Sequence, residues 1–113
     1  MTARYDWTIN QGETSSLTYT RTDSGGSAVN FPAGTTFRMQ AKDKYGGTAV
    51  VTLDNTAFNH SSGTNTFDVT ISATETAAIT APAKYVYDIE AVDGSSVTRV
   101  LEGALVVRPE VTT

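Results

Sequence analysis

The chain of 113 residues contains no cysteine, a single histidine, three prolines and one tryptophan. Without thiols it has neither a disulfide framework nor a thiolate metal site, so stability has to come from packing. One histidine leaves a hydrolase short of a base unless a nucleophile stands beside it. Long hydrophobic runs are missing too: nothing approaches the roughly 18 apolar residues of a membrane span. Met1-Thr2-Ala3-Arg4-Tyr5-Asp6-Trp7 has no basic head leading into an apolar run of the kind that directs export. The expectation is a chain made in a cytoplasm, with no membrane partner. Positive charge is scarce as well. Eight basic against 12 acidic residues leave a net charge of −4, which is not the footprint of a nucleic-acid binder.

What is present is β-sequence. Threonine is abundant, glycine and serine punctuate the chain, and no long helical pattern occurs. Strands are predicted over Tyr5–Asn10, Thr14–Thr22, Thr35–Lys42, Ala49–Leu53, Asn65–Ser72, Tyr85–Asp93 and Val97–Val107. About seven short strands with a turn every ten or so residues is the pattern of a β-sandwich, here a single domain over residues 1–113. Period-two alternation then selects the core. It comprises Trp7 and Ile9, Leu17 and Tyr19, Phe37, Met39 and Ala41, Val51 and Leu53, Phe67, Val69 and Ile71, Tyr85, Tyr87, Ile89 and Ala91, and Leu101, Leu105 and Val107. Their neighbours across the pleat are mostly polar, as in two antiparallel sheets each wet on one face.

One segment departs from the β pattern. Ser72-Ala73-Thr74-Glu75 has capping-box spacing, alanines follow, and Pro82 would stop the run. A short cross-over helix is predicted over residues 73–79. The Tyr85-Val86-Tyr87 strand behind it suits an immunoglobulin-like sandwich, in which a tyrosine at this corner bonds back to the backbone; Tyr85 is the candidate.

Little catalytic chemistry can be assembled. His60, in Asn59-His60-Ser61-Ser62-Gly63, reads as a solvated turn residue rather than a base. Asp23, Asp43, Asp54 and Asp93 fall at strand ends, where aspartate bonds to nearby amides, and no D-x-D-x-D-G run announces calcium. Asp88 and Glu90 lie on an outward face, either solvated or as cross-strand partners of arginine or lysine. No metal ligand set and no cofactor motif is identified. Lys44-Tyr45-Gly46-Gly47 reads as a hairpin turn whose glycines take positive φ. Its exposed tyrosine is either incidental or a contact residue. Tyr5, Phe31, Tyr45 and Phe58 are the aromatics expected on ends and loops, a thin platform for stacking sugars.

Taken in order, "YDWTINQGETSSLTYT", "FRMQAKDKYGGTAVVTL", "TFDVTISATETAAI" and "KYVYDIEAVDGSSVTRVLEGALVVRPEV" resemble a set of small tailed-bacteriophage virion structural proteins. That set is related in pattern to the N-terminal domain of phage baseplate upper proteins. Gln11-Gly12-Glu13-Thr14, Asp43-Lys44-Tyr45-Gly46-Gly47, Tyr85-Val86-Tyr87-Asp88-Ile89-Glu90 and Gly103–Val111 stand where such proteins carry their recurring turns and hairpins. Asn30-Phe31-Pro32-Ala33-Gly34 replaces the set's D-L-T-G turn. The resemblance implies an immunoglobulin-like sandwich without catalysis, in the virion, in many symmetric copies. Its partners would be other capsid, neck or tail proteins. The expected contacts are Tyr5, Trp7, Lys44, Tyr45, Gly46 and Glu110, and the last strand is long enough to reach a neighbour's sheet edge. The alternative is an immunoglobulin-like module that recognises a host-surface glycan or protein. A glycan site would show an aromatic or an Asp/Asn cluster at one loop end.

Overall fold

A computed structural model describes residues 3–61, 63–80 and 83–109. Within them the chain forms β1 (Ala3–Arg4), β2 (Trp7–Asn10), β3 (Ser15–Thr20), β4 (Thr36–Lys42), β5 (Ala49–Leu53), a 3-10 turn (Asn55–Ala57), β6 (Phe58–His60) and β7 (Thr66–Ile71). The helix α1 (Ala73–Ala77), β8 (Ala83–Asp93) and β9 (Ser96–Arg108) complete it. The larger sheet runs β1-β9-β8-β4-β5, with β2 also on β9, and the smaller runs β3-β7-β6. This two-sheet order is the immunoglobulin-like sandwich.

Alternation decides which side of each strand is buried. Strand β4 reads exposed-buried through Thr36-Phe37-Arg38-Met39-Gln40-Ala41, and β8 buries Tyr85, Tyr87, Ile89 and Ala91. Every residue assigned to the core from the sequence is buried or packed against it, Leu17 and Tyr19 only partly. Burying one such Phe or Ile side chain stabilises by roughly 1.5–3 kcal/mol. In one half of the sandwich Phe37 sits at the centre of an aromatic cluster, 4.6 Å from Phe67 and 5.0 Å from Phe31 between ring centroids. Trp7 and Tyr87 meet edge to face in the other half, 6.2 Å apart.

Several expectations need correction. The larger sheet is mixed rather than antiparallel, because β1 and β2 run parallel to β9 in one continuous register, Ala3 opposite Leu101 and Trp7 opposite Leu105. The predicted first strand is interrupted at Tyr5-Asp6: the Asp6 carboxylate accepts the Ala104 amide at 3.0 Å, which takes a ladder bond away from the backbone. Strand β6 and the 3-10 turn were not foreseen, since Asn55–His60 carries no alternation of useful length. With the divided first strand they bring seven expected strands to nine among the described residues. Strand β9 has β8 along one side, and β1 and β2 cover its other side at residues 101–102 and 105–108, so among the described residues its first part, 96–100, is left without a second strand partner.

Helix α1 is shorter than residues 73–79. Its capping box forms as expected: the Ser72 hydroxyl accepts from the Glu75 amide at 3.2 Å, and the Glu75 carboxylate accepts from the Ser72 amide at 3.0 Å. Ala78 is its C-cap, and Pro82, the expected stop, lies outside the described residues. Buried Thr76 then ties the helix to the β2–β3 turn, donating to the Glu13 carbonyl at 2.9 Å. At the corner, the Tyr85 hydroxyl donates to the Thr80 carbonyl at 2.9 Å, which is the bond foreseen for it.

Candidate functional site

The β4–β5 tip is built by local chemistry. A register shift at Ala41/Lys42 frees the chain from its ladder, and the Gly47 amide closes a turn onto the Lys44 carbonyl at 2.9 Å. Gly46 takes φ +78°, where a side chain would be strained. Gly47 does not have positive φ; a Cβ there would displace the Asp43 carboxylate and come within 3.0 Å of the Lys44 carbonyl. The turn lifts Tyr45 clear, 74% exposed, the highest value among the large hydrophobic residues described. Tyr45 and Gly46 border a hollow of about 200 Å³ with Lys42, Asp88, Arg99 and Glu102.

That hollow lies on the outer face of the larger sheet, a mosaic of alternating charge. The Arg38 guanidinium meets Glu90 at 2.7 Å, and Arg99 lies 3.3 Å from Asp88 and 3.7 Å from Glu102. Asp88 and Glu102 stand opposite each other across β8 and β9, where two carboxylates would repel without the arginine beside them. Burial raises the Asp88 carboxyl above its ordinary range; Arg99 opposes this, while Glu90 and Glu102 add to it. Of the two readings of Asp88 and Glu90, solvated or paired across strands, the pairing with arginine is the one the structure shows.

The other expected contacts divide. Tyr5 is 48% exposed, and its carbonyl accepts from the Tyr87 hydroxyl at 2.6 Å. Burial pushes that Tyr87 hydroxyl far above its usual range, with Tyr5 and Asp6 adding to the effect. Trp7 is not available to a partner: it is 3% exposed, and its indole N–H donates to the Ser15 hydroxyl at 3.1 Å. Alternation had placed it in the core, and the core takes it. Glu110 lies outside the described residues.

His60 is no solvated turn residue. It closes β6, with Nδ1 paired to the Thr66 carbonyl at 2.9 Å and its ring edge-on to Phe31 and Phe37. Its Nε2 is enclosed without a partner among the described residues, facing rings instead of a serine hydroxyl. Phe31, expected on a loop, is 1% exposed, because the 21–35 connection folds back and its amide bonds the Thr64 carbonyl at 2.9 Å. The Asn30–Gly34 stretch turns at Gly34, φ +85°, and closes with the Thr35 amide on the Pro32 carbonyl at 3.1 Å.

Asp23 and Asp54 act as turn residues, as expected. Asp23 accepts the amides of Gly25 and Ser27 at 2.9 and 3.0 Å. Asp54 caps the 3-10 turn through the Thr56 amide and hydroxyl, and that hydroxyl bond chiefly holds its carboxyl below the usual range. Among the described residues no three His, Cys, Asp or Glu side chains are grouped as a metal site would require, and no helix is long and apolar enough to cross a membrane. The chain matches no protein-family model, and no characterised protein matches it.

Proposed function

We propose that this chain is a non-enzymatic structural protein of a tailed-bacteriophage virion, an accessory subunit that docks on the capsid, neck or tail and occurs there in many symmetric copies. The observation that carries the reading is the tip: a large aromatic held 74% exposed by a glycine turn at the rim of a charged sheet face. Tyrosine is enriched where proteins meet, and a contact would bury the ring that the turn leaves exposed. The ordered likeness of its hairpins to small virion proteins supplies the particle. Paired charges around the tip would set register and orientation in a contact more than its strength.

The test is incorporation. A Tyr45→Ala subunit is expected to fold as the wild type and to be depleted from purified particles by about tenfold or more, the loss of one interface anchor worth about 1.4 kcal/mol or more. Wild-type occupancy of the variant in particles would overturn the tip as the contact, and absence of the wild-type chain from every particle would overturn the virion reading.

A further inference from the structure

The sandwich is open along one side, between the edge strand β5 and the short β6. There a groove of about 670 Å³ runs from Thr52 and Leu53 through Asp54 and Phe58 to Asn59 and Glu75. That volume falls within the roughly 300–1,000 Å³ of small-molecule sites. It arises because β6 has only three residues and ends the smaller sheet, so β5 and β6 are joined by the 3-10 turn alone and not by strand pairing.

Three features of the lining bear on what would fill it. Phe58 forms part of the wall: stacked on Phe37 at 26° between ring planes and edge-on to Phe67, it is locked in orientation yet only partly buried. Hydroxyls of Thr52, Thr56, Thr70 and Ser72 share the lining; each already makes one bond within the chain, to Gln40, Asp54, Ser16 and the Glu75 amide respectively, and keeps one further donor or acceptor capacity. The charged acceptors are Asp54 and Glu75, and the exposed side-chain amide of Asn59 can donate as well as accept. Asp54 and Glu75 each use one oxygen, Oδ1 and Oε1, for local amides, and their second oxygens have no hydrogen-bond partner among the described residues. A fixed aromatic wall beside many small polar groups fits a ring with an apolar C–H face and a polar edge.

We infer that this groove is a binding site for a neutral oligosaccharide of two or three sugar units. Vicinal hydroxyls would donate to the open oxygens of Asp54 and Glu75 and accept from the Asn59 amide, while a pyranose face packs on Phe58. The two carboxylates, in a chain of net charge −4, would repel acidic sugars. The inference goes beyond docking on a particle and is independent of it: the groove lies on the open side of the sandwich, and none of its lining residues belongs to the Tyr45 tip.

The experiment is an amide-resolved NMR titration of the full chain with maltotriose, cellotriose, chitotriose, mannotriose and lactose, alongside sialyllactose and an extended heptapeptide of alternating Val and Thr. At least one neutral saccharide is expected to shift amides in 52–59 and 70–75 saturably, with Kd between about 0.1 and 10 mM. Asn59→Ala and Glu75→Gln should each weaken it by about tenfold without moving core resonances. Asn59 is exposed, and glutamine preserves the capping box, so folding is not at stake. The proposal is overturned if no neutral member shifts those amides, if both variants bind as the wild type does, or if sialyllactose or the peptide saturates the groove instead.

Discussion

Tyr85 shows how much one hydroxyl can organise. Its ring belongs to the core, while its O–H reaches back to the Thr80 carbonyl and pins the connection between the two sheets. Tyr85→Phe keeps the ring and removes the bond, so a loss of about 1 kcal/mol is expected, read as a lower denaturant midpoint at unchanged slope. Asp88 poses the opposite question, because its carboxyl is raised by burial against the pull of Arg99. A carboxyl whose pKa is higher folded than unfolded favours the fold when protonated. That contribution is complete below the unfolded value of about 3.9 and is lost as pH rises through the raised one. Asp88→Asn should therefore gain in stability relative to the wild type as pH climbs across that window. Urea unfolding at acid and neutral pH checks the sign, and a gain that shrank with pH would contradict it.

Among the elements, the N-terminal edge depends most on a single position. Strands β1 and β2 hold one register along β9, but at Tyr5-Asp6 the backbone presses onto β9 at Gly103, where a Cβ would collide with the Tyr5 carbonyl. The same carbonyl accepts from Tyr87, and Asp6 accepts from Ala104, so three contacts converge on a gap only glycine leaves. Gly103→Ala is expected to cost roughly 1–3 kcal/mol and to strip protection from the Tyr5 and Ala104 amides in hydrogen exchange before any other pair. Uniform loss of protection would instead mean that this edge has no independence. Helix α1 is a simpler element, legible because its capping box is encoded within four residues.

At the scale of the molecule, one core cluster draws on both sheets and on the 21–35 connection through Phe31. Residues from every long strand meet there, so no layer can leave alone. A single two-state thermal transition is expected, with an unfolding enthalpy of about 80 kcal/mol at about 60 °C for a chain of this length. Calorimetric and van't Hoff enthalpies that disagree would show the smaller sheet melting separately. The outer charges contribute little to this balance, since exposed pairs are worth about 0–1 kcal/mol each; their value lies in what the face can meet.

The sequence by itself determined the class of fold, the inward face of each long strand, the capping box, the Tyr85 corner and the exposure of Tyr45. All of these rest on spacing within one strand or one turn, where period and local hydrogen bonding act over a few residues. Only the tertiary structure decided the rest. Phe31 and His60 sit in stretches without period, and what buries them is the aromatic cluster of distant strands. The parallel seating of β1 and β2 along the second half of β9 and the groove at Phe58 depend on which strands become neighbours across the sandwich. Trp7 carried both a core and a contact reading until packing against Tyr87 chose between them. Contacts between residues far apart in the chain leave no local signature, and those contacts shape every surface on which this protein could act.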